Sequence, residues 1–179
     1  MKKLMTLTAM VLILSSGFYA KETPFAVGFG VSDSAGNLGL NLEASSPSFA
    51  QDFLIIRLES QIDFLSAYRN NPDVEWEMFS THRLGLVGTG GWNSDTIRLY
   101  GEFGPVLALP CSTISDDTMQ WGIYGLFGFE FFIASKEEST IAYYLEAGTN
   151  ALFDSADNIA GDPDYYSGFT ARTGIRFYF

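Results

Sequence analysis

Residues Tyr165 to Phe179 read YYSGFTARTGIRFYF and separate into two parities. Tyr165, Ser167, Phe169, Ala171, Thr173, Ile175, Phe177 and Phe179 are mostly apolar, whereas Tyr166, Gly168, Thr170, Arg172, Gly174, Arg176 and Tyr178 carry the arginines and glycines. Successive side chains of a strand point to opposite faces, so this stretch reads as one strand with two unlike faces. We expect the chain to stop inside this last strand.

The same alternation recurs upstream. Phe25, Val27, Phe29 and Val31 oppose Ala26, Gly28 and Gly30; after a tight turn spanning Ser32 to Asn37, Leu38, Leu40 and Leu42 oppose Gly39, Asn41 and Glu43 until Pro47 breaks the run. The third strand is the clearest, with Leu54, Ile56, Leu58, Ile62 and Phe64 on one parity and Arg57, Glu59, Gln61 and Asp63 on the other. The fourth sets Trp76, Met78, His82, Leu84 and Leu86 against Glu77, Thr81, Arg83 and Gly85, with a return turn expected over Gly88 to Asp95. In the fifth, Ile97, Leu99, Phe103, Leu107 and Leu109 face away from Arg98, Tyr100, Glu102 and Gly104, and Pro105, which lacks a ladder donor, is expected at a bulge.

The sixth runs Met119, Trp121, Ile123, Phe127, Phe129, Phe131 and Ile133 against Gln120, Gly122, Tyr124, Gly128 and Glu130. A charged turn, Ser135 to Ser139, leads to the seventh, where Ile141, Tyr143, Leu145 and Ala147 oppose Tyr144, Glu146, Gly148 and Asn150. With the terminal stretch this makes eight strands without an intervening helix. We expect short connections after strands two and six, a longer turn after strand four, and longer acidic loops after strands three, five and seven, including Ala67 to Glu75 and Leu152 to Asp164.

The amino terminus is different in kind. Lys2 and Lys3, an apolar run from Leu4 to Leu14 and the small residues up to Ala20 have the layout of a secretory signal peptide, so residues 1–20 are set aside and 21–179 form one domain. Cleavage is expected after Ala20, or else after Gly17. Cys111 is the single cysteine, which rules out an internal disulfide and an amino-terminal lipid anchor. No run of eighteen apolar residues follows the leader, so a membrane can be crossed only by strands.

Alternation alone does not say which parity faces inward. A lipocalin-like soluble barrel or a sandwich would bury the apolar one. Three features favour the inverse. The polar parity of the strands carries Arg57, Arg83, Arg98, Arg172 and Arg176 but no lysine; it carries Glu43, Glu59, Asp63, Glu77, Glu102, Glu130 and Glu146 to pair with them; and it is crowded with glycines that make room in a narrow lumen. The fold expected is therefore an all-β, eight-stranded antiparallel up-and-down transmembrane β-barrel, with Trp76, Trp121, Tyr143 and Tyr165 in an interfacial girdle.

With the leader and the lumen pattern, Arg172, Gly174, Phe177 and Phe179 carry a resemblance. They fit the polar-x-Gly-x-x-aromatic-x-aromatic terminal strand of Gram-negative outer-membrane barrels. The chain is similar to the small eight-stranded members, the OmpX and OmpW types and the membrane half of the OmpA type, without a peptidoglycan-binding domain after the barrel. The resemblance implies the outer membrane as location, lipid and the barrel assembly machinery as partners, and these four residues as the assembly signal.

The net charge of −11 becomes −13 once Lys2 and Lys3 leave with the leader, which argues against nucleic acid as a partner. Ser80 and His82 share the outward face, an arrangement similar to the lipid A deacylase family. The order here is Ser-x-His where that family has His-x-Ser, and no outward carboxylate lies on the adjoining strands, so no enzymatic activity is expected. Asp154, Asp157, Asp162 and Asp164 lack the spacing of a calcium loop, and neither a metal nor another cofactor is expected. The residues expected to matter are the lumen charges Arg57, Glu59, Asp63, Arg83, Arg98, Glu102, Glu130, Glu146, Arg172 and Arg176. They point to a barrel that supports the envelope and passes small solutes or hydrophobic compounds, or else to a surface adhesin that meets an extracellular partner through its acidic loops.

Overall fold

The structure is a computed structural model in which residues 23–68, 74–94, 96–136, 139–159, 162 and 164–179 are described. The leader, residues 69–73 of the β3–β4 loop and residues 137–138 of the charged turn lie outside the described residues. Eight strands follow in order: β1 (Ala26–Ser34), β2 (Asn37–Ser45), β3 (Leu54–Tyr68), β4 (Val74–Ser94), β5 (Ile97–Leu109), β6 (Gln120–Lys136), β7 (Ser139–Leu152) and β8 (Gly168–Tyr178). Each pairs antiparallel with its sequence neighbour, and β1 closes on β8. The seam is regular from Ala26↔Tyr178 to Ser34↔Thr170. Closure leaves no unpaired sheet edge, which is what a strand-built membrane span requires.

The faces fall as the alternation predicts. Leu42, Phe127, Ile133 and Phe169 stand outward, each at least 60% exposed, while Arg57, Arg98 and Arg176 are at most 1% exposed. An apolar wall around a charged interior is the reverse of a water-soluble barrel. The lipocalin-like alternative is thereby excluded.

Several local expectations are corrected. The first hairpin turns on Ala35 and Gly36 alone, at φ 54° and 86°, with the Gly36 amide donating to Asp33 Oδ1 at 3.0 Å. Two successive positive φ values match the twist of a two-residue hairpin. Of the return turn expected over Gly88 to Asp95, Asp95 lies outside the described residues and the rest is strand: β4 runs to Ser94 and takes up its extra residues in register shifts at Gly88/Gly91 and Trp92/Ser94. Pro105 sits at no bulge. The rungs Arg83↔Val106 and Leu86↔Phe103 keep one register on either side of it, so the ladder to β4 skips the proline without inserting a residue.

The connection after β2 is also longer than expected. Residues 46–53 form a compact floor in which Ala50, Gln51 and Asp52 all have positive φ, held by Ser48 Oγ donating to Asp52 Oδ1 (2.9 Å) and Thr89 Oγ1 donating to the Asp52 carbonyl (2.7 Å). Thr23 joins this floor through reciprocal contacts with Ser48. The floor lies at the barrel end where β1 begins and β8 finishes.

Candidate functional site: the charged lumen and its lid

The barrel interior is lined by the polar parity of all eight strands, and its charges interlock. Arg176 is central: its guanidinium binds Glu43, donates to Glu130 Oε1 at 2.8 Å and to Glu146 Oε1 at 2.6 Å, and lies 4.0 Å from the centre of the Tyr144 ring. Arg57 donates to Glu102 Oε2 (2.5 Å) and Glu146 Oε1 (3.1 Å). Arg98 holds Glu130 and reaches Tyr178 OH (2.6 Å) and Thr23 Oγ1 (2.8 Å), tying the network to the floor. Toward the loops, Arg83 pairs with Glu59 at 3.2 Å, and Arg172 contacts Glu59 and lies 3.0 Å from Glu146.

Nine of the ten lumen residues singled out in the sequence thus share one set of ion pairs. Asp63 is placed differently. It is fully buried, and its carboxylate accepts from Gln61 and from Thr81 Oγ1 (3.0 Å). Glu77 stands apart beneath the loops, 3.7 Å from Cys111 Sγ. The short list omitted Glu43, which Arg176 grips, and the tyrosines. Tyr100, Tyr124, Tyr144 and Tyr178 are buried on the charged parity, and Tyr124 OH donates to Glu102 Oε1 (2.6 Å) while Tyr178 OH donates to Glu130 Oε1 (2.5 Å). Their shared parity with the glycines was the available signal, because Tyr100 lies over Gly128 and Tyr144 over Gly174 and Gly30.

A second layer was not foreseen. The described residues of 110–119 and 153–167 fold over the mouth opposite the start of β1, burying Ile114, Ala156, Ile159, Tyr165 and Tyr166 against inward Phe79, Val106, Ala108, Leu126 and Leu152. Polar ties hold this lid. The Asn158 amide donates to the Ile114 carbonyl (3.1 Å), Tyr165 OH to Gln120 Oε1 (2.7 Å), and Arg83 to Tyr166 OH (2.6 Å). Tyr165 is therefore not a girdle residue. It turns inward ahead of β8, which starts at Gly168 (φ 145°), whereas Trp76 and Trp121 do stand exposed on the outer wall.

Of the terminal-strand residues, Arg172 lies in the lumen, Phe177 stacks outward on Phe29 at 6.2 Å, and Phe179 is exposed while its amide donates to the Phe25 carbonyl (3.0 Å). Ser80 and His82 share the outer wall, but the imidazole Nδ1 pairs with Ser60 Oγ on β3 at 3.0 Å. Asp154, Asp157, Asp162 and Asp164 are exposed; the first two and Asp164 line an open depression of about 450 Å³ with Asp117 and Phe153. Among the described residues no three His, Cys, Asp or Glu side chains gather as a metal site.

No family model and no curated protein matches the sequence. Solved structures do match. The N-terminal β-barrel domain of Pseudomonas aeruginosa OprF superposes with a TM-score of 0.52 at 12% identity, covering 89% of this chain and all of that one. Ail, the attachment invasion locus protein of Yersinia pestis, gives 0.45 at 13% identity, covering 90% of this chain and all of that one. The OprF likeness agrees with the β-barrel fold described above.

Proposed function

We propose that the protein serves the envelope as a closed outer-membrane barrel: a structural membrane element whose lumen is sealed rather than a pore. The observation that carries this reading is the ion-pair network, in which Arg57, Arg83, Arg98, Arg172 and Arg176 all have carboxylate partners within 4 Å and are at most 3% exposed. A solute crossing the lumen must separate such pairs. Breaking one by removing a partner costs roughly 3–5 kcal/mol when the remaining charge stays buried. The lid adds a barrier at the loop end.

The mature chain refolded into a planar bilayer is expected to be electrically silent. Arg98→Ala and Glu102→Ala, which open gaps in the network, are expected to raise leak conductance. Steady wild-type conductance that either variant alters would overturn the closed-barrel reading and make the lumen a narrow polar pore.

Exposed Asp116, Asp117, Asp154 and Asp157, together with Phe153, favour a second reading, in which the lid's outer surface meets an extracellular partner. Loops on a rigid scaffold commonly carry such roles. Replacing residues 153–164 by a neutral linker should then abolish attachment of expressing cells to basic surfaces, and unchanged attachment would sink the idea.

A further inference from the structure

The outer wall is not evenly covered by bulky side chains. Across β7, β8, β1 and β2 two outward rungs follow one another: Ala147, Ala171, Asp33 and Leu38, then Leu145, Thr173, Val31 and Leu40. Ala171 and Thr173 are short, while Val31, Leu38 and Leu145 stand beside them, exposed at 44%, 57% and 42%. Between them lies an open groove of about 360 Å³, with Asp33 in its lining. That volume falls within the range of sites that hold one small molecule. Thr173 donates its hydroxyl to the Tyr144 carbonyl at 3.0 Å, which leaves the groove floor apolar.

Asp33 is out of keeping with this wall. Among the described side chains of the strands it is the one carboxylate on the outward parity, exposed, two residues before the Ala35–Gly36 turn. A charge on the lipid face of a barrel is least costly near the membrane interfaces. At this end of β1 the carboxylate therefore belongs at headgroup level, and the groove below it at the level of the chains. The Gly36 amide occupies Oδ1 at 3.0 Å. The five described strand arginines are all buried inside the barrel, so none of them meets Asp33 on the outer wall.

We propose that the groove holds one acyl chain of a membrane lipid whose headgroup carries a primary amine, with the ammonium against Asp33. The groove is continuous with the lipid-facing wall; its apolar floor takes the chain, and its one charged group selects the head. An ammonium donates charge-assisted hydrogen bonds to a carboxylate. A quaternary amine has the charge without the donor, and an anionic headgroup is repelled. A second copy of the chain fits less well, because a two-fold contact over this seam brings the two Asp33 carboxylates toward each other with no described outward arginine between them. This inference rests on the outer wall facing lipid and not on whether the lumen conducts.

The test is native mass spectrometry of the full mature chain, released into mild detergent from nanodiscs of equimolar phosphatidylethanolamine, phosphatidylcholine and phosphatidylglycerol with identical acyl chains. One retained lipid per monomer is expected, with phosphatidylethanolamine exceeding phosphatidylcholine roughly fivefold, the upper reach of an exposed ion pair. Asp33→Asn should keep the retained lipid and bring that ratio close to one. Ala171→Leu should fill the groove and lose the lipid. Both changes lie on the outer wall, away from the lumen network, and compact, heat-modifiable migration shows that each variant is folded; Asp33→Asn carries the test if Ala171→Leu is not. A wild type that retains no lipid or prefers phosphatidylglycerol would overturn the proposal, as would an unchanged headgroup ratio in Asp33→Asn or a folded Ala171→Leu that retains lipid as wild type does. So would a dimer that Ala171→Leu abolishes, because a second copy would then be the occupant.

Discussion

Replacing Arg176 by methionine is expected to leave almost no folded barrel. The substitution keeps much of the side-chain volume and removes the charge, so the loss is electrostatic. Glu43, Glu130 and Glu146 all lean on this guanidinium, and Tyr100 OH accepts from it at 2.6 Å. Stripping one partner from a buried pair costs roughly 3–5 kcal/mol, and here three carboxylates lose one together. Native domains have only about 5–15 kcal/mol in hand. The check is the fraction of refolded protein that migrates as the compact, heat-modifiable form, followed by urea unfolding. Adding Glu43→Gln and Glu146→Gln to Arg176→Met should recover part of the folded fraction, since a buried ion cluster can often be replaced by neutral groups at little cost. A single variant that refolds at wild-type yield would show that the network is hydrated and weak.

Gly174→Val should be nearly as damaging, for a different reason. A Cβ on Gly174 would run into the Phe29 carbonyl across the β1–β8 seam and would sit 2.6 Å from Tyr144 OH. The carbonyl belongs to the ladder and cannot step aside without breaking the rung Gly30↔Gly174. Overpacking ordinarily costs about 1–3 kcal/mol, and a backbone clash at the closing seam belongs at or above the top of that range. Refolding the purified chain into vesicles, without any assembly machinery, tests this directly. Normal refolding in vitro with failed assembly in cells would shift the role of Gly174 from packing to recognition.

The fold was legible because one physical rule governs most of it. Membrane on one side and a narrow lumen on the other force a period of two, and β3 keeps it from Leu54 to Phe64. The arginines could be placed inside because a guanidinium facing lipid has no partner, whereas one facing six carboxylates does. What stayed hidden depends on relations between distant residues. Nothing local in Ile114, Ala156, Ile159 or Tyr165 says that two loops meet over the mouth, since their apolar character is equally that of a strand end. Tyr165 was misplaced for this reason: alternation carried past Gly168 assigns it outward, although the chain has already turned. Likewise Gly88, Gly90 and Gly91 look like a turn, and only pairing with β5 shows them absorbed as bulges in a strand of 21 residues. The exceptional position of Asp63 was equally invisible, because the alternation that puts it inside says nothing of which arginine stands opposite.

The β1–β8 seam also sets the order of events in time. Ala26 pairs with Tyr178, so the first strand of the barrel bonds along one side to the last strand of the barrel. Pairings this distant in sequence form slowly, since the entropy of bringing the ends together must be spent before any rung repays it. Until then β1 keeps an open, sticky edge of the kind that recruits other chains. The barrel must therefore be shielded in transit for as long as delivery takes, and its most exposed moment falls just before completion.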